Sequence, residues 1–176
     1  MLVADNPQFA ELLRSEKRIV FLCGTGFSMS LGCHGLSWSR WLSEGCNYLN
    51  DIKVSQLTDL LTDTTPTGLI RAASFCLSSL KSAGTYTDFM DSTVGSLKPQ
   101  SRILSSAISS IARSGDVFAT TNYDMLIEKA TGQKSVTYNS PASILGILNR
   151  EEQAKVIHIH GVYDNLSNTD DIIADD

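Results

Sequence analysis

Two hydrophobic periods alternate along this chain. Short apolar runs at Arg18–Cys23, Asp116–Thr121 and Lys155–His160 stop at glycine or at a polar turn, which suits strands buried on both faces of a parallel sheet. The intervening pattern is helical. Asn6-Pro7 reads as an N-cap followed by proline at the first helical position, with Phe9, Leu12 and Leu13 carrying a helix up to Lys17. Ser37 or Ser39 is placed to cap a helix that runs through Trp41 and Leu42. From about Val54 to Ser114 the chain is serine-rich and helical, with segments near Val54–Thr62, Thr67–Ser82, Thr85–Val94 and Pro99–Arg113. Beyond it the pattern predicts a helix over Asp124–Ala130, a short strand over Ser135–Tyr138 and a helix over Pro141–Asn149.

Strands that alternate with helices predict an α/β fold, a Rossmann-like doubly wound parallel sheet. The helical stretch, about residues 50–114, is too long for a simple crossover and is expected to form a small subdomain packed on the sheet. An acidic tail from Asp170 to Asp176 contains Ile172-Ile173, expected to begin a strand whose continuation is absent. On that expectation residues 1–176 form a single domain that is the N-terminal part of a longer fold, without its C-terminal strands.

Composition narrows the picture. With 176 residues and 42% apolar content, the chain can bury the core of one ordinary domain. A formal net charge of −5 supplies no general positive field for a phosphodiester backbone, so nucleic acid is not an expected partner. No apolar run approaches the roughly 18 residues of a membrane span, and Met1–Pro7 lacks the features of a signal peptide. The expectation is a cytoplasmic protein with no membrane partner. Cys23, Cys33, Cys46 and Cys76 show no C-x-x-C pair and read as reduced core thiols; adjacent Cys33-His34 does not make a metal site, and none is expected.

Candidate chemistry gathers in three segments at strand ends. Cys23-Gly24-Thr25-Gly26-Phe27-Ser28 follows the first apolar run, and a Gly-x-Gly turn into a helix offers backbone N–H groups that a pyrophosphate can approach. The dinucleotide fingerprint G-x-G-x-x-G is not met, since Met29 stands at its third glycine, and a tight turn without ligand is the other reading. Thr121-Asn122-Tyr123-Asp124 fits a capping box, with Thr121 accepting from the backbone and Asp124 reaching back. It also sets Asn122 just beyond a strand's carboxyl end, where ligands sit in open parallel sheets. In Lys155–His160 a period of two puts Val156, His158 and His160 on one face. His158 reads as a hydrogen-bonded core or supporting group, and His160, at the rim, as either a structural residue or a base at neutral pH.

In this order and spacing the segments resemble the SIR2-like, sirtuin-related NAD-consuming domains. Gly24-Thr25-Gly26-Phe27-Ser28 is similar to that family's G-[AT]-G-x-S loop, Thr120-Thr121-Asn122-Tyr123-Asp124 to its T-x-N-x-D segment and His160-Gly161 to its H-G. Gly35-Leu36-Ser37-Trp38-Ser39-Arg40-Trp41-Leu42 resembles the tryptophan-containing Gly-Leu continuation of the zinc-less branch, and the likeness runs from about Ile19 to Asp164. The resemblance implies an NAD+ hydrolase of the bacterial antiphage-defence type that depletes NAD, used as substrate without a metal. Deacylases of the wider family carry a four-cysteine zinc module after H-G, and no cysteine follows Cys76, so deacylation is the weaker implication.

Carried over residue by residue, the resemblance implies that Asn122 orients water or ribose, His160 accepts a proton and Asp124 holds the nicotinamide side. Gly24, Thr25, Gly26 and Ser28 would bind pyrophosphate and the neighbouring ribose, with Thr121 and Gly161 beside them. Trp38 is either a pocket wall or a core residue of an amphipathic helix. Hydrolysis and cyclisation both remain open, as does a non-catalytic module that senses NAD or ADP-ribose. A homo-oligomer and a regulatory partner protein are expected, with the serine-rich helical stretch as contact surface.

Overall fold

The computed structural model describes residues 11, 19–31, 37–113, 115–164, 169–170 and 172. Apart from Glu11, the expected opening helix lies outside the described residues, as do Cys33, His34 and Ile173. Four strands, Val20–Cys23 (β1), Val117–Thr120 (β2), Ser135–Thr137 (β3) and Val156–His158 (β4), form one parallel sheet in the order β1-β2-β4-β3. Cys23 pairs with Thr120, Thr120 with His158, and His158 with Thr137, so one row of residues marks the carboxyl edge of the whole sheet. At the other end the Ile19 N–H donates to Asp116 Oδ1 at 2.9 Å and fixes where β1 and β2 begin.

Helices cover both faces, as a doubly wound sheet requires. Helices Thr25–Ser30 (α1) and Trp38–Gly45 (α2) follow β1; Asp51–Leu60 (α3), Pro66–Ala83 (α4), Tyr86–Met90 (α5) and Arg102–Arg113 (α6) precede β2. Leu126–Thr131 (α7) links β2 to β3, and Pro141–Leu148 (α8) links β3 to β4. Alternate side chains of the strands divide accordingly. Cys23, Phe118 and Val156 pack with Ile108 of α6 and Leu126 and Ile127 of α7, while Val117, Ala119, Val136 and Ile157 pack with Ile147 of α8. The α/β architecture expected from the sequence is therefore present. On edge strand β1, Val20 and Leu22 stay 50% and 70% exposed.

The helical stretch divides in two. Trp41 and Leu42 of α2, Leu57, Ala72, Ala73, Cys76, Leu77, Leu80, Phe89 and Met90 build an apolar core of their own, which also takes in Tyr123 and Tyr163 from the sheet's carboxyl side. This body thus begins at α2 and caps the sheet's edge, whereas α6 lies on the sheet face. At Gly45 an added Cβ would stand 2.5 Å from Cys76 Sγ, so glycine is what lets α2 approach α4. Side-chain caps define its helix starts: Ser37, rather than Ser39, accepts from Arg40 N, Asn50 from Lys53 N and Thr65 from Gly68 N. A π-helical turn, Asp91–Gly95, ends α5.

Three expectations change. The capping box does not form: α7 starts at Leu126, Asn122 N–H donates to Thr120 Oγ1 (3.0 Å) and Asp124 Oδ1 accepts from Leu126 N (3.1 Å), so each polar side chain serves a nearer backbone group. Strand β4 ends at His158, so its alternation does not reach His160. Near the tail the strand is Thr169–Asp170, antiparallel to Tyr163–Asp164; Ile172 is no strand start but packs against the helical core.

Candidate functional site

The two loops that leave β1 and β2 side by side are tied by Thr121 N–H donating to Cys23 O at 3.2 Å. Gly24 is the extended residue before α1, and an added Cβ there would lie 3.8 Å from Thr121 Oγ1. At Gly26 an added Cβ would meet nothing within 4 Å, and both glycines are exposed. Packing alone therefore does not demand glycine at position 26.

A hydrogen-bonded chain joins the two loops. Asn122 Nδ2 donates to Ser28 Oγ at 2.7 Å, and Ser28 Oγ donates to Asp124 Oδ2 at 2.8 Å. Ser28 is 2% exposed and Asp124 8%, so the chain runs largely out of water. Both Asp124 oxygens are engaged, and burial outweighs those bonds to raise its carboxyl above the ordinary aspartate range. Asn122 itself is half-buried with its carboxamide directed to Ser28.

Beside this chain lies a cleft of about 50 Å³ lined by Thr25, Ser28, Trp38, Trp41, Val94 and residues 121–124. Its wall is aromatic: Trp38, Trp41 and Tyr123 have ring centroids 5.8 to 6.3 Å apart, and Trp41 Nε1–H donates to Thr93 Oγ1 at 3.2 Å. Burial pushes the Tyr123 hydroxyl up to about 12 and the neighbouring Cys23 thiol up to about 11, which leaves the thiol protonated and a poor nucleophile at neutral pH. A dinucleotide-sized ligand needs roughly 300 Å³ or more, so this cleft alone would hold only part of one. A larger cavity, about 530 Å³, involves Gly115, Gln133, Lys134 and Lys155 at the amino ends of the strands. Open α/β sheets bind at the carboxyl ends, so the smaller cleft is the candidate.

Of the residues singled out in the sequence, the structure brings Thr25, Ser28, Trp38, Thr121, Asn122 and Asp124 to one cleft. Trp38 is a cleft wall as well as a partner of the helical core. Gly24 and Gly26 stand beside it as exposed backbone. His160 is exposed beyond the end of β4 and is not among the residues that line the cleft. Gly161 follows with φ 89°, a backbone state that disfavours any side chain and turns the chain back toward Tyr163, whose N–H donates to Tyr123 O. His158 is fully buried, with Nδ1 3.0 Å from Asn122 O and Nε2 2.6 Å from Glu128 Oε1.

Sequence reasoning missed Trp41, Val94 and Glu128. Trp41 stands three residues after Trp38 on one helical face, a signal that was available. Glu128 is an acid that follows Leu126 and Ile127 in the first turn of α7, and Val94 comes from the π-helical turn, which has no signature in the sequence.

A SIR2-like domain family model matches residues 116–175. The similarity covers about a third of the chain, its C-terminal part. Members of the SIR2-like family are NAD-dependent enzymes, and Asn122 and Asp124, which line the cleft, fall within the matched residues. The match includes His158, His160 and Gly161 but not the glycine loop or Ser28, which reach it through hydrogen bonds. No curated protein and no solved structure matches the chain. Among the described residues there is no group of three or more His, Cys, Asp or Glu that could hold a metal ion, and no helix is long and apolar enough to cross a membrane.

Proposed function

We propose that this protein is an NAD+ hydrolase, which cleaves the nicotinamide–ribose bond to give nicotinamide and ADP-ribose. The observation that carries the reading is the buried chain from Asn122 through Ser28 to Asp124, which couples the SIR2-like segment to the glycine loop at one cleft.

Nicotinamide leaves as a neutral pyridine with the electron pair of the broken bond, so the reaction needs no acid on the leaving group. It needs a positioned nucleophile and shelter from bulk water. Asn122 orients the water or ribose, Ser28 and Asp124 hold its carboxamide in place, and Trp38 and Trp41 exclude solvent. Asp124, with both oxygens engaged, acts on the nicotinamide side through this chain. Thr25 and the exposed backbone of Gly24 and Gly26 receive pyrophosphate and the neighbouring ribose, with Thr121 and Gly161 beside them. His160 accepts the proton of the attacking water, which requires the turn after β4 to carry its exposed ring to the cleft. In a cell such an activity fits a cytoplasmic antiphage effector that depletes NAD, held off in a homo-oligomer until a regulatory partner releases it.

The position of His160 favours a second reading, a non-catalytic module that binds NAD or ADP-ribose and changes assembly. Nicotinamide release from NAD, measured beside the Asn122→Ala and His160→Ala variants, tests both. Release that disappears in Asn122→Ala supports a hydrolase or cyclase, which product chromatography then separates. Binding of NAD without release supports the sensor. Formation of O-acetyl-ADP-ribose from an acetylated peptide would mark a deacylase instead.

A further inference from the structure

Asn122 is held at three points. Its N–H donates to Thr120 Oγ1 at 3.0 Å, its carboxamide donates to Ser28 Oγ, and its carbonyl faces His158 Nδ1 at 3.0 Å. Only the last bond depends on a tautomer. A carbonyl accepts and never donates, so Nδ1 must carry a hydrogen. Nε2 then faces Glu128 Oε1 at 2.6 Å, where two lone pairs would repel, so a proton lies between them. Whether the pair is imidazole with carboxylic acid or imidazolium with carboxylate, Nδ1–H stays pointed at Asn122. Without Glu128 the ring is free to carry its single hydrogen on Nε2, which turns the Nδ1 lone pair against the carbonyl.

We propose that Glu128 and His158 are positioning residues. The buried pair fixes the imidazole tautomer, the imidazole fixes the Asn122 backbone, and the backbone aims the Asn122 carboxamide across the cleft. Glu128 Oε1 also accepts from Ser135 Oγ at 2.6 Å, which locks the acid to β3, while Glu128 Oε2 has no hydrogen-bond partner among the described residues. Glu128 borders a cavity of about 200 Å³ lined by Met125, Lys129 and Tyr163, and its side chain is held through Oε1. The catalytic consequence rests on the hydrolase reading, but the geometry does not.

Glutamine at position 128 can still donate an N–H to His158 Nε2, and leucine cannot. Asparagine at position 158 places its amide near the former Nδ1, and glutamine places it near the former Nε2. In NAD cleavage, Glu128→Leu and His158→Leu should lower kcat about ten- to hundredfold, the scale of a misplaced reacting group, with KM nearly unchanged. Glu128→Gln should stay near wild type in kcat without a lower Tm, and His158→Asn should recover activity that His158→Gln does not. In 15N NMR of the full chain, the Asn122 carboxamide pair, assigned by its loss in Asn122→Ala, should shift or broaden in the leucine variants and hold in Glu128→Gln. Folded leucine variants with unchanged kcat and unchanged Asn122 signals overturn the proposal. If the leucine variants do not fold, equal kcat in His158→Asn and His158→Gln overturns it. If wild type releases no nicotinamide, the hydrolase reading falls. The Asn122 carboxamide signals then decide the pair alone: a shift in Glu128→Leu supports it, and an unchanged spectrum overturns it.

Discussion

In the helical body the buried side chains are mainly leucine, alanine and aromatic rings with Cys76, Met90 and Val94, and Ser79 is the one buried polar residue there among those described. Along the carboxyl edge of the sheet, Ser28, Thr120, Asp124, Glu128, Thr137 and His158 are all buried. Each large apolar side chain buried in the first region, such as Leu57, Leu80, Phe89 or Met90, contributes about 1.5–3 kcal/mol. Each polar group buried in the second must find a partner or cost about 1–3 kcal/mol. The helical body therefore supplies stability, and the sheet edge spends part of it to hold a fixed array of donors and acceptors.

Substitutions should separate these roles, beginning with the largest effect. Phe89→Ala, in the middle of the helical core, should lower unfolding free energy by about 3–5 kcal/mol in a denaturant titration, with the polar chain untouched. A loss below about 1 kcal/mol would break the comparison. Asn122→Ala should reduce nicotinamide release about a hundredfold or more while moving the unfolding midpoint little, since Asn122 is only half-buried. Ser28→Ala leaves Asn122 Nδ2 and Asp124 Oδ2 without their shared partner and should cost about 1–3 kcal/mol, together with activity.

The next effect is one of pH. Because burial raises the Asp124 carboxyl in the folded state, its contribution is fully present below the ordinary aspartate range and is lost as pH rises through the higher folded value. Asp124→Asn should therefore gain in Tm relative to wild type as pH rises from about 4 toward 8. A constant Tm difference across that range would show that the carboxyl is not raised. Smallest is Gly26→Ala, where nothing opposes a Cβ and the helix should gain up to about 1 kcal/mol. A weaker apparent affinity for NAD in that more stable variant would place the ligand against this backbone, and unchanged affinity would remove Gly26 from the site.

Legibility in the sequence followed the range of the interactions. Continuous apolar runs marked β1 and β2, and helix ends with local signals, such as Thr65-Pro66 and Gly84, fell within a residue or two of expectation. Asn122 and Asp124 were legible as strand-end polar groups because their placement depends only on where β2 stops. The helix after them was misplaced because Thr120 and Asp124 satisfy backbone groups two residues away and delay its start to Leu126. The bond between Glu128 and His158 spans 30 residues and depends on β3 and β4 pairing in register, which no local pattern encodes. His160 was set on the face of His158 by an alternation that ends two residues earlier.

Trp41 belongs to both regions at once. Its ring packs on Phe89 and Tyr123, its indole N–H is held by Thr93 in the π-helical turn, and its face closes the cleft. Widening the cleft on that side means pulling a keystone out of the helical body. The width of the aperture beside Asn122 is therefore set by how tightly Phe89 and Thr93, more than 45 residues further along the chain, hold one indole ring.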